Sequence, residues 1–167
     1  MRVVGIDPGL KITGYGVIDG DGNTFSLVEA GFVSTEERDP MSERVRGIFD
    51  DVLAVLEEAK PGYMAIEQLY AHYAHPRTAI LMGHARGAIM LAAAKCGIAV
   101  ASYSATMIKK SLTGNGHASK GQVQRMIEVV LGLREPPEPA DVADALAVAL
   151  CHLNAAGKPA ELGRRSG

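Results

Sequence analysis

The sequence has only two cysteines, Cys96 and Cys151, and no CxxC spacing. That scarcity excludes a disulfide framework or a thiolate zinc site and leaves both as reduced core residues. No apolar stretch approaches the roughly 20 residues that span a bilayer, so no membrane helix is expected. Residues 1–7 run straight into a short apolar segment without the long apolar core or cleavage site of a signal peptide, and the chain reads as cytoplasmic. No internal repeat is present. Apolar residues make up 47% and charged residues 22%, ordinary globular usage that excludes a disordered chain. At 167 residues the expectation is a single domain with a substantial core over residues 1–155, followed by a flexible C-terminal tail over 156–167 rich in Gly, Arg and Ser.

Acidic residues are missing from one long span. The net charge of −2, taken alone, argues against a nucleic-acid binder. Between positions 68 and 127, however, 60 residues contain no Asp or Glu, while Arg77, Arg86, Lys95, Lys109, Lys110, Lys120 and Arg125 give +7. The other 107 residues carry −9. Part of the span reads as an apolar helix with few charges of any kind. Its lysine-bearing part can present a positive face to phosphates despite the acidic total.

Residues 3–6 and 15–18 are short apolar runs closed by Asp7-Pro8-Gly9 and by the turn cluster at 19–23, and 24–35 continues with strand-like residues. Three strands with short links predict an antiparallel meander. A helix follows, with Asp39 as N-cap and Pro40 at its first position, until Lys60-Pro61-Gly62 stops it. Residues 63–67 read as a strand and 78–96 as a long helix closed by Gly97. That helix is apolar nearly all round and needs two partners, the sheet and a second subunit. Residues 98–103 form a further strand, followed by a short helix over 105–112. Ser119 and Gln122 then predict a capping box, and a last helix runs over 140–153. The order β-β-β-α-β-α-β-α-α-α describes an α/β protein with a mixed five-stranded sheet flanked by helices.

Four acids stand out against this frame. Asp7 and Glu67 each end a strand, where carboxylates can line a crevice beside the sheet. Asp7 is also explained by an ordinary Asp-Pro-Gly turn. Glu67 interrupts an apolar stretch, where a charge is costly unless paired or metal-bound. Asp141 and Asp144, three apart, share one face of the last helix. With Glu138 as N-cap, Asp141 falls at the third helical position, where favouring the helix dipole is an alternative role. Asp144 lies a turn deeper among Val142, Ala143, Ala145, Leu146 and Ala147, with no nearby Lys or Arg after it. Two like charges about 4 Å apart repel by about 4 kcal/mol at an effective dielectric of 20, so such a cluster calls for protons or a cation. Carboxylate oxygens suit Mg²⁺ or Mn²⁺, and a pair of such ions supports in-line hydrolysis of a phosphodiester.

Gly5-Ile6-Asp7-Pro8-Gly9 with Thr13-Gly14-Tyr15-Gly16, Ala65-Ile66-Glu67-Gln68, and Asp141-Val142-Ala143-Asp144-Ala145-Leu146 together resemble the RuvC family of Holliday junction resolvases over about residues 1–155. The resemblance implies a ribonuclease-H-like fold and makes Asp7, Glu67, Asp141 and Asp144 the metal-binding catalytic acids. It implies a homodimer that nicks four-way DNA junctions symmetrically, using two Mg²⁺ or Mn²⁺ ions per site, with the RuvA and RuvB branch-migration proteins as partners. Tyr70 falls where the family has an aromatic residue that stacks on bases near the junction centre. It is Tyr here rather than the expected Phe, a change that keeps a stacking face. Lys109 and Lys120 match basic residues the family places near DNA and the scissile phosphate, Lys120 with a catalytic role. Lys110 and Arg77 are added as DNA contacts.

His72 and His75 have a metal-like HxxH spacing, but as loop histidines they read as phosphate contacts or solvated residues. Gly114-Asn115-Gly116 can approach a phosphate or make an ordinary interhelical turn. The same fold resembles the halves of actin-like and sugar-kinase ATPases, which offers a nucleotide-binding alternative. Those proteins need two such domains, and 167 residues are too few. A non-catalytic junction-binding protein is the third reading, opposed by four intact acids.

Overall fold

A computed structural model describes residues 1–21, 23–69 and 76–157. The elements, in chain order, are β1 (Arg2–Asp7), β2 (Ile12–Gly20), β3 (Phe25–Ser34), α1 (Met41–Ala59), β4 (Tyr63–Glu67), α2 (Pro76–Lys95), β5 (Ala99–Tyr103), α3 (Ala105–Thr113), α4 (Lys120–Leu131) and α5 (Ala140–Ala156). The expected order of elements is therefore present. The five strands lie side by side as β3-β2-β1-β4-β5. β1, β2 and β3 pair antiparallel, as a meander with short links does, while β4 and β5, each reached through a helix, run parallel to β1.

Alternation of side chains sends the two faces of the sheet into two cores. Val4, Ile6, Val17, Met64 and Ile66 pack with Ile48, Val52 and Leu56 of α1 and Ala85, Ile89, Ala92 and Ala93 of α2. Val3, Ile18 and Ala65 face the other way, against α5, with α3 and α4 completing that layer through Ile108, Leu112, Val123 and Ile127. α5 is the central helix of this side. Its residues from Ala145 to Leu153 are all buried, which explains its nearly unbroken apolar sequence.

Helix ends follow local chemistry with small departures from expectation. The Ser119–Gln122 capping box is formed in both directions. Ser104 caps α3 by accepting from the Met107 N–H. Pro40 and Pro139, with ψ of 144° and 172°, stand outside their helices as N-cap residues, not at the first helical position. The second helical position, not the third, therefore falls to Asp141. The long helix begins at Pro76 and ends at Lys95. α5 continues to Ala156, beyond the expected 153 and across the expected domain end, because Asn154 donates from Nδ2 to the Ser111 carbonyl and hydroxyl and ties this last turn to α3. Cys151 is buried in the core and Cys96 half-buried.

Candidate active site

Asp7 and Glu67 are the last residues of adjacent parallel strands, with Ile6 opposite Ile66 one step before them. Their carboxylates leave the C-terminal edge of the sheet side by side, on the face covered by α5. The turn that follows Asp7 is braced rather than merely closed. Buried Thr13 donates from Oγ1 to the Gly9 carbonyl at 2.7 Å, and Thr35 donates to the Leu10 carbonyl while accepting from Arg44 Nε at 2.9 Å. The chain bends just past Asp-Pro-Gly, at Leu10 and Lys11, and the connection also presents a carboxylate.

Glycine brings the other two acids in. Gly5, Gly14 and Gly16 lie on the α5 face of β1 and β2, Gly5 opposite Gly16 and Gly14 opposite Asp7. A β-carbon at Gly14 would stand 2.1 Å from the Asp141 carbonyl oxygen, and one at Gly5 2.0 Å from that of Ala145. At Gly16 it would meet Leu146 Cδ2 at 2.4 Å. No side chain fits beneath the helix, so α5 rests on bare backbone with its first turn over the residue paired to Asp7. Asp144 follows one turn along the same helix face.

The electrostatics record this crowding. Burial pushes the Asp7 carboxyl up to about 7, and the negative charges of Asp144, Asp141 and Glu67 add to it while Lys120 opposes. Glu67 is also raised, by burial first and then by Asp144, against the pull of Lys109 and Lys120. The cation that Asp144 lacks along the sequence comes from α4: Lys120 Nζ lies 2.9 Å from Asp144 Oδ2. This hydrogen bond raises the ammonium further above its ordinary value. Among the described residues no three acidic, His or Cys side chains are drawn together in a ready metal-holding arrangement.

A cavity of about 240 Å³ opens at this edge, lined by Asp7, Glu67, Leu69, Met82 and Arg86 among others. Arg86 of α2 was visible in sequence only as one charge among seven. In the structure it donates from Nη1 to the Glu67 carbonyl and from Nη2 to Ser102 Oγ at 2.9 Å. The only sequence signal was a cation within an otherwise apolar helix.

The remaining predicted residues divide. Lys109 on α3 is close enough to Glu67 to lower its pKa. Lys110 lines a different cavity, with Met107, Ser111, Gly114 and Cys151. Arg77 is exposed in the first turn of α2. Tyr70, His72, His75 and positions 158–167 of the expected tail lie outside the described residues. Gly114, at φ 77°, caps α3, and the Thr113 and Asn115 side chains hold the loop internally, so this segment has the ordinary role of an interhelical turn.

The sequence profile of the RuvC family, described as crossover junction endodeoxyribonuclease RuvC, matches residues 3–152. A crossover junction endodeoxyribonuclease RuvC from Rhodopirellula baltica is 48% identical over 157 residues, covering 94% of this chain and 88% of the relative. The structure of T. thermophilus RuvC in complex with a Holliday junction substrate superposes with a TM-score of 0.90 at 38% identity, covering 94% of this chain and 95% of that one. The yeast mitochondrial Holliday junction resolvase, at 16% identity and a TM-score of 0.58, shares the fold, covering 91% of this chain and 78% of its own. The architecture is ribonuclease-H-like, and neither the nucleotide-binding nor the non-catalytic alternative finds support among these relatives. No helix among the described residues is long and apolar enough to cross a membrane. With the profile matched over nearly the whole chain and close relatives of equal extent, this protein belongs to the RuvC family of crossover junction endodeoxyribonucleases.

Proposed function

We propose that this protein resolves four-way DNA junctions by paired, symmetric hydrolysis of phosphodiester bonds, with Asp7, Glu67, Asp141 and Asp144 as divalent-metal ligands. The observation that carries this reading is the convergence of four carboxylates from β1, β4 and α5 at one sheet edge, where burial and mutual repulsion raise Asp7 to about 7. An all-carboxylate donor set with unneutralised charge fits hard cations such as Mg²⁺ or Mn²⁺. Two such ions held there would activate a water and stabilise the leaving oxygen of an in-line displacement.

The protein's own residues supply the rest. Asp7 and Glu67 are aimed by strand ends, and Asp141 and Asp144 by a helix seated on glycine. Lys120 holds an ammonium at the rim of the acid cluster, where it can meet the negative charge that develops on the phosphate. Lys109 adds a cation on the same side, and Lys110, Arg77 and Tyr70 extend the DNA contacts, Tyr70 by stacking. The chain acts in the cytoplasm, as one nuclease domain, alongside the RuvA and RuvB branch-migration proteins.

A homodimer matches the two-fold symmetry of the substrate. Its surface is the outer face of α2, where Ile80 and Leu91 are 63% and 61% exposed and Gly83 and Gly87 leave open space between them. This is the second partner that a helix apolar on most sides requires.

The test is incubation with a labelled synthetic four-way junction and with linear duplex of the same sequence, each with Mg²⁺, Mn²⁺ or chelator. Symmetric, metal-dependent nicks in the junction alone are the expected result. Binding without cutting under every metal would overturn the catalytic assignment, and cutting of linear duplex at the same rate would overturn the junction selectivity.

A further inference from the structure

The Glu67 carboxylate is the one acid of the four that sits where an edge-side strand ends and the chain leaves the sheet. Its backbone is fixed through the peptide unit that follows. The Gln68 N–H donates to the Tyr103 carbonyl at 2.8 Å, extending the β4–β5 ladder one step past the strand. The Glu67 carbonyl, at the other end of the same peptide, accepts from Arg86 Nη1. Arg86 Nη2 donates to Ser102 Oγ at 2.9 Å, and Ser102 is the register partner of Ile66 on the neighbouring strand. Both polar ends of the Glu67–Gln68 peptide are thus tied, one to β5 and one to α2.

Arg86 is half-buried and takes part in no ion pair among the described residues. A guanidinium removed from water without a carboxylate partner is costly, and here neutral oxygens receive its N–H groups. A planar fork can satisfy two acceptors at fixed separation, which a lysine ammonium cannot do in the same geometry. Arg86 also lines the cavity into which Asp7 and Glu67 face.

We infer that Arg86, anchored on Ser102, is a positioning residue that fixes the Glu67 backbone so that its carboxylate stands ready for metal beside Asp7. The inference rests on the metal-site reading above. It assigns Arg86 no contact with DNA and no part in the chemistry. A strand end released by about 1 Å is enough to lower a reaction rate by about 10²-fold.

The test measures Mn²⁺ binding to the free, full-length protein by electron paramagnetic resonance, junction affinity in chelator, and single-turnover cleavage. Arg86→Gln is expected to bind Mn²⁺ about tenfold more weakly and to cut about 10²-fold more slowly, with junction affinity and its salt dependence unchanged. Ser102→Ala, at an exposed edge position, is expected to lose about tenfold in rate, and Ser102→Thr, which keeps the hydroxyl, to restore it. If Arg86→Gln fails to fold, the Ser102 pair decides. Wild-type Mn²⁺ binding in Arg86→Gln overturns the inference, as does a loss of junction affinity with a shallower salt slope, which would make Arg86 a phosphate contact. Glu67→Gln separates the two levels. If it weakens Mn²⁺ binding and Arg86→Gln does not, only the positioning role falls. If the wild type binds no Mn²⁺, the metal-site reading falls and takes the positioning role with it.

Discussion

Gly14→Ala is the substitution that tests most directly how the acids are assembled. The added β-carbon would lie 2.1 Å from the Asp141 carbonyl oxygen, 2.3 Å from its carbon and 2.8 Å from the Val142 nitrogen. Carbon and oxygen approach no closer than about 3.3 Å even in favourable contacts, so backbone must move by about 1 Å. None of the three clashing atoms belongs to a flexible side chain, so the first turn of α5 lifts and carries Asp141 away from Asp7. Overpacking of this kind costs about 1–3 kcal/mol of stability, and a 1 Å misplacement of a reacting group costs about 10²-fold in rate. The expected outcome is a folded protein with a lowered melting temperature, junction binding retained in chelator, and single-turnover cleavage slower by about 10²-fold. Gly47→Ala on α1, where nothing lies within 4 Å of the added carbon, is the control, expected to be neutral or to stabilise by up to about 1 kcal/mol. Cleavage at the wild-type rate by Gly14→Ala would refute the claim that bare backbone sets the position of Asp141.

The other predictions concern the charges themselves. Asp144→Asn is expected to abolish cleavage while junction binding survives, because losing a proposed metal ligand leaves the phosphate contacts in place; a gel-shift assay paired with a nicking assay checks it. Lys120→Ala should slow cleavage more than it weakens binding, and competition binding across salt concentrations distinguishes this from a purely electrostatic role, which would flatten the salt dependence. Because the folded pKa of Asp7 is raised to about 7 from an ordinary carboxylate value near 3.8, the folded state holds a proton that the unfolded state releases, and the stability this adds is lost as pH rises through 4 to 7. Without metal, Asp7→Asn should therefore melt higher than wild type at pH 8, with the difference vanishing near pH 4, and Mn²⁺ should stabilise the wild type more than the variant. Leu91→Glu, on the exposed face of α2, should leave the fold intact by circular dichroism and shift sedimentation from dimer to monomer.

Much of the fold was legible because it is written in local signals. Short β-branched runs ended by Asp-Pro-Gly, Gly-rich turns, a Ser-x-x-Gln capping box and a stop at Lys60-Pro61-Gly62 place ten elements in order, each through contacts within a few residues. The boundaries that moved did so for identifiable reasons. Pro40 and Pro139 have extended ψ values and stand outside their helices, and the end of α5 is prolonged by a bond from Asn154 to Ser111, 43 positions away in sequence.

The four acids stood out as candidates, Glu67 and Asp144 because a carboxylate inside an apolar segment is conspicuous wherever it occurs. Their surroundings did not. Nothing near Asp144 in sequence announces Lys120, which reaches it from another helix across 24 positions. Nothing around Arg86 names the Glu67 carbonyl or Ser102 as its acceptors. Gly5, Gly14 and Gly16 read as motif letters until α5 is laid across them, and only then does the absence of a side chain acquire its reason. Local sequence by itself determined which carboxylates stand out from their surroundings and which elements bear them, because capping, periodicity and the cost of a buried charge act over a few residues. The tertiary structure alone decided which acid faces which, which cation relieves them, and how closely a helix can approach a sheet, because electrostatic and steric contacts depend on distance in space and not along the chain.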